Sequence, residues 1–184
     1  MKLHDPLIKI GKQLNKNNIE WAVGGSLLLQ HYHLIDSPND IDVLVAEKDV
    51  ERIKDAMGQV GKRQMASTKD PFRTTYFYRY EVDGVGVDVM GNFAIEHDQG
   101  TYQLLFDANH IAEKKNIHGV SIPLAALEDW FVLYQLIPNK QEKAIRIEKY
   151  FRTNRVTRPD LLHKALNQPL PIGVRESMKH ILYR

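Results

Sequence analysis

Apolar residues first recur at helical spacing at Leu7, Ile10 and Leu14. They predict a helix opening at Asp5-Pro6, with the aspartate as N-cap and the proline in the first turn, and ending at Asn17-Asn18. Ile19 to Val23 reads as a short buried strand. Gly24-Gly25 breaks it, and Ser26 is placed to cap a second helix from Leu27 to about Leu34. After the loop Ser37-Pro38-Asn39, the β-branched run Ile41 to Val45 predicts a strand. Asp49 to Val60 returns to helical period.

A hairpin follows. Thr75 to Val82 is rich in tyrosine and phenylalanine, Asp83-Gly84 is a favoured two-residue turn, and Val85 to Met90 runs back. A second strand pair is predicted at Ile111–Lys115 and Val120–Ile122, joined through His118-Gly119. Beyond Leu124 the pattern is helical, over Leu127–Ile137, Gln141–Phe151, Pro159–Leu166 and Val174–Leu182, with prolines between. The class is therefore α/β (α+β): a sheet-and-helix core over residues 1–123 and a small helical C-terminal region over 124–184.

Composition narrows the setting. A 43% hydrophobic share within 184 residues is enough for a core. No apolar run approaches the roughly 20 residues that span a bilayer. The N-terminal stretch lacks a secretory apolar segment, and cysteine is absent, so disulfides and thiolate metal sites are excluded. The expectation is a cytoplasmic protein with no membrane partner. Net charge is only +2, but acids exceed bases before residue 110 and bases exceed acids after it. That asymmetry fits a cation site in the first part and an anionic ligand near the second, or simply a solvated basic helical surface.

The chemistry concentrates in WAVGGSLLLQHYHLIDSPNDIDVLVA, residues 21–46. Gly24-Gly25-Ser26, between strand and helix, lets a phosphate approach the backbone, and the Ser26 hydroxyl adds a donor. Asp40 and Asp42 alternate with Ile41 and Val43, so both carboxylates share one strand face. Two acids so placed repel each other, and a hard divalent cation reverses that sign. In VGVDVMG, Asp88 has the same parity, with Val85, Val87 and Val89 on the other face. If the two strands are neighbours, three carboxylates converge on a patch able to hold two metal ions about 4 Å apart, as nucleotidyl displacement requires.

Gly24-Gly25-Ser26, thirteen residues, Asp40-Ile41-Asp42 and a later strand aspartate together resemble the signature of the DNA polymerase β-like nucleotidyltransferase superfamily. The pattern covers residues 21–90. In length the chain is most similar to the small bacterial members, the antibiotic and minimal nucleotidyltransferases. The resemblance implies a mixed sheet flanked by helices, Gly24, Gly25 and Ser26 binding the nucleotide, and Mg²⁺ on Asp40 and Asp42. Asp88 is then a third ligand, or the base toward the acceptor. It also implies a nucleoside triphosphate substrate, with ATP expected, and a hydroxyl acceptor. Where many small relatives carry a basic residue and then Lys-Asp, this chain reads NKQEKAIRIEKYF, with Lys140 and Lys143 but alanine at 144.

Other residues carry weaker signals. His31 and His33 suggest a metal pair or a solvated helix end, and Tyr76, Tyr78 and Tyr80 suggest base stacking or sheet packing. One of Lys69, Arg73 and Arg79 is a candidate to neutralise triphosphate charge. The basic run Lys143, Arg146, Lys149, Arg152, Arg155 and Arg158 is compatible with nucleic acid, although its three-residue steps drift around a helix. Three readings stand beside each other: a transferase, a nucleotidyltransferase-fold antitoxin or partner-binding module, and an RNA-directed transferase.

Overall fold

A computed structural model describes residues 3–183. Helix α1 (His4–Lys16) leads into strand β1 (Trp21–Val23), and α2 (Gly25–His31) into β2 (Ile41–Val45). Then come α3 (Val50–Gly58), β3 (Lys62–Gln64), β4 (Tyr76–Val82) and β5 (Val85–Gly91). The hairpin β6 (Phe93–His97) and β7 (Gly100–Leu104) precedes β8 (Ile111–Ile117) and β9 (Val120–Ala125). Four helices finish the chain: α4 (Leu127–Leu136), α5 (Gln141–Thr153), α6 (Pro159–Leu166) and α7 (Ile172–Leu182).

Seven strands form one mixed sheet in the order β3-β4-β5-β2-β1-β9-β8, while β6 and β7 pair apart. The sheet is antiparallel at β1–β2 and β4–β5, and parallel at β2–β5 and β1–β9. Asp83 and Gly84, both at positive φ, make the tight turn that the Asp-Gly pair predicts between β4 and β5. His118 and Gly119 do the same between β8 and β9.

Helix boundaries depart from the sequence reading at two caps. Asp5 lies inside the first turn of α1 and Leu3 takes the cap position, so the acid serves the helix dipole without capping it. Helix α2 starts one residue before Ser26, with Gly24 as cap, and ends at His31. Its apolar face, Leu27, Leu28 and Leu29, is buried, and the predicted extension to Leu34 is lost where His33 turns to φ 58°. The stretch after residue 91, for which the hydrophobic pattern predicts nothing, forms the β6–β7 hairpin.

Alternation sorts the sheet into two faces. Ile41, Val43, Val87, Val89 and Tyr80 are buried, and α3 lies over that side, with Lys54 against the Tyr78 ring. Asp42, Asp88 and Arg79 point the other way. Helix α4 follows β9 directly, and its Trp130, Phe131 and Leu133 enter the same hydrophobic core as the strands. Two buried acids anchor it. Asp129 bonds to His110 at 2.8 Å, and Glu128 accepts from Thr157 and from the Arg158 amide. Among the described residues, no helix is long and apolar enough to cross a membrane.

Candidate active site

The parallel pairing of β2 and β5 puts Asp42 opposite Asp88, and on β4 Arg79 opposite Asp88 in turn. Asp40 sits at the bend entering β2. The neighbouring strands that sequence parity presupposes are therefore present. All three acids line one cavity of about 810 Å³, together with Ser26 and Arg79 from the sheet side and Trp130, Tyr134, Lys140 and Lys143 from the helical side.

Of the Gly24-Gly25-Ser26 turn only Ser26 lines this cavity; Gly24 and Gly25 lie buried just before it, where packing leaves no room for a side chain. A Cβ on Gly24 would overlap the Trp130 indole, and one on Gly25 would overlap the Asp42 carboxylate. Gly25 also has φ +59°, which side chains rarely adopt. The Gly24 amide donates to the Asp42 carbonyl at 2.9 Å, tying the turn to β2. Ser26 does not cap the helix. Its hydroxyl accepts from Lys143 Nζ at 2.7 Å.

Lys143 is the functional candidate that sequence spacing left outside the site. It stands 117 residues from Ser26 along the chain, and only the packing of α5 brings the two together. Its ammonium lies 4.9 Å from the centre of the Tyr134 ring. Burial and then Lys140 lower its pKa, opposed by Asp42 and Asp40, so the cation is held in a partly dry place facing acids. On the other side, burial pushes the Asp42 carboxyl up to about 7, with repulsion from Asp40 and Asp88 adding to it. A floor of acid short of positive charge suits a divalent cation, and Asp40 with Asp42 offers it hard oxygen donors.

Asp88 is differently placed. Arg79 grips both of its oxygens, Nε to Oδ1 at 2.7 Å and Nη2 to Oδ2 at 2.8 Å. The third acid is thus neutralised in a bidentate pair, and Asp40, Asp42 and Asp88 do not close into a ready-made cage. Among the described residues no group of three His, Asp or Glu side chains is arranged to hold a metal as it stands.

The remaining candidates scatter. His31 pairs with Glu113 at 2.7 Å and His33 lies in the turn beyond α2, so the two histidines form no metal pair. Tyr76, Tyr78 and Tyr80 have the parity of the covered sheet face and do not line the cavity. Lys69 reaches the cavity edge, while Arg73 pairs with Asp70 and Glu96.

No family model matches the sequence, and no curated protein matches it. Solved structures do match its shape. A Thermotoga maritima protein assigned as a nucleotidyltransferase is 23% identical and superposes with a TM-score of 0.56 over 86% of this chain and 89% of its own. The chain has a nucleotidyltransferase fold. That fold is shared with ANT(2'')-Ia, solved with adenylyl-2''-tobramycin, at 12% identity, a TM-score of 0.56 and 94% coverage of both chains. It is shared too with the lincosamide antibiotic adenylyltransferase LnuA, solved with lincomycin, at 11% identity and a TM-score of 0.50 over 78% of this chain and 95% of that one. Identities this low establish the architecture; chemistry has to be argued from the cavity.

Proposed function

We propose that this protein is a Mg²⁺-dependent nucleotidyltransferase that moves a nucleoside monophosphate from a triphosphate, ATP in the first instance, to a hydroxyl acceptor. One observation carries the reading. Acids from the sheet, Asp40 and Asp42, and cations from the helical region, Lys140 and Lys143, meet across Ser26 in a cavity of ligand size. Acids beside a structural core are costly without a cation, and the half-buried Lys143, with the exposed Lys140 beside it, suits an anion.

Asp40 and Asp42 would hold Mg²⁺, whose chemistry there is to neutralise and align phosphate oxygens. Lys143 and Lys140 take the charge of the tri- and pyrophosphate, and Ser26 adds a hydroxyl donor as Lys143 turns from it to the ligand. The acceptor oxygen bonds to the α-phosphorus as the bond to the β-phosphate oxygen breaks, and pyrophosphate leaves with the electron pair. Asp88 is the residue placed to receive the hydroxyl proton, provided that Arg79 releases one of its oxygens. Holding the acceptor in line beside the α-phosphate supplies much of the acceleration.

The Arg79 grip on Asp88 favours a second reading, a binding module that takes nucleotide without turning it over. Incubation with labelled triphosphates, Mg²⁺ and a panel of hydroxyl acceptors separates the two. Pyrophosphate released with label on an acceptor is the expected result; metal-dependent binding without pyrophosphate would favour the module.

A further inference from the structure

The cavity has two unlike ends. Next to the row Asp42–Asp88–Arg79, the following row on the same sheet face is Leu44–Met90–Phe77, one strand repeat or roughly 7 Å further along. Phe77 and Met90 face the cavity there, and Phe72 and Phe93, packed edge to face at 6.0 Å, extend the wall past the strand ends. The exposed segment 65–69 borders the cavity, and its Met65 is fully exposed at 102%. The apolar end lies beside Asp88, across β5 from the Ser26–Lys143 end.

We infer that this aromatic end is the acceptor subsite, and that it takes a neutral hydroxyl compound with a flat apolar or aromatic face. The inference rests on the transferase reading and adds to it the class of acceptor. Charge decides the class. Three acids and four cations, Lys69, Arg79, Lys140 and Lys143, line the cavity. Arg79 pairs with Asp88, and Asp40 and Asp42 would face Mg²⁺ and the lysines, so cations already outnumber acids in the cavity and no negative charge is in excess to draw an ammonium group. A polycationic acceptor would therefore enter unpaired, at a high desolvation cost. A neutral ring would instead bury apolar area against Phe77, Met90 and Phe72, with its hydroxyl toward Asp88 and the α-phosphate.

The test uses 2-phenylethanol as the neutral probe and tobramycin as the polycation. Ligand-observed NMR is run with and without Mg²⁺ and the non-hydrolysable analogue α,β-methylene-ATP. The probe is expected to bind together with the analogue, and tobramycin not to bind at this end. Phe77→Ala should weaken the probe about tenfold while leaving analogue affinity by calorimetry near that of the parent. The milder Phe77→Leu serves if the alanine variant fails to fold. Displacement of the probe by the analogue, or an equal loss of analogue affinity in the Phe77 variants, would assign this end to the nucleobase and overturn the inference. If the analogue binds and the probe does not, only the acceptor assignment falls. If the analogue does not bind with Mg²⁺, the transferase reading falls and takes this assignment with it.

Discussion

Asp42 links protonation, metal and stability at a single residue. Its carboxyl is pushed up to about 7, first by burial and then by Asp40 and Asp88. The folded protein therefore binds this proton more tightly than the unfolded chain does. The resulting stabilisation is full below the ordinary carboxylate range and is lost as pH rises through about 7. In chelator, the melting temperature should fall more steeply between about pH 5 and about pH 8 for the parent than for Asp42→Asn. Added Mg²⁺ should restore the parent at the higher pH and do little for the variant. Parallel profiles would show that Asp42 carries no such burden. The neighbouring glycine behaves differently. Any side chain at Gly25 meets the Asp42 carboxylate at a positive φ, so Gly25→Val should cost more than about 1 kcal/mol and lower the melting temperature as well as nucleotide affinity. A variant that melts like the parent would refute this account of the turn. The three aspartates were legible from strand parity and spacing. The Asp42 clash was not, because it depends on how closely β2 passes the turn.

Among the elements, those set by local chemistry were legible and those set by distant partners were not. The β4–β5 hairpin follows from Asp83-Gly84 between alternating strands, and α6 starts and ends where Pro159 and Leu166 place it. The short edge strand β3 has no apolar pattern to read, since Lys62 and Arg63 are exposed. The β6–β7 hairpin turns through Asp98-Gln99 into Gly100 at φ +129°, a less specific signal than Asp83-Gly84. Helix α5 read as helical and basic with no clean stripe, and which lysine faces the cavity depends on its packing against α4. That packing makes a specific claim. Lys143→Ala should weaken Mg·ATP by roughly tenfold to a hundredfold, as expected for a lost charged hydrogen bond, while Lys149→Ala, exposed on the same helix, should change nothing. Equal effects in calorimetry would mean that α5 contributes only a diffuse field. On β5, Asp88→Asn should spare triphosphate binding and lower turnover about 10²–10⁴-fold if the residue accepts the acceptor's proton. Unchanged turnover would remove it from the chemistry.

For the whole molecule, the basic second part keeps its excess of bases over acids, because the ion pairs of its arginines are made with acids of the same part. Arg146 pairs with Glu142, Arg152 with Glu148 and Arg158 with Asp160, while Lys143 turns inward. Lys143 is thus the member of the basic run that the packing brings into the cavity. The same packing raises the question of how the helical region is coupled to the sheet. The buried His110–Asp129 pair joins the turn before β8 to α4, and both residues are almost fully enclosed. Burial raises the Asp129 pKa and His110 opposes the rise, so removing the histidine strands an acid in the core. His110→Ala should therefore cost about 3–5 kcal/mol, whereas replacing both partners with leucine should recover much of the loss. The two tryptophans report on either side of this joint, Trp21 in β1 and Trp130 in α4. With one continuous core, fluorescence and far-ultraviolet circular dichroism should give coincident unfolding transitions in parent and variant alike, the variant's at lower denaturant. If instead His110→Ala splits the transition, with the helical signal lost first, the pair is the main tie between the two regions. The single-core account of Lys143's placement would then have to be abandoned.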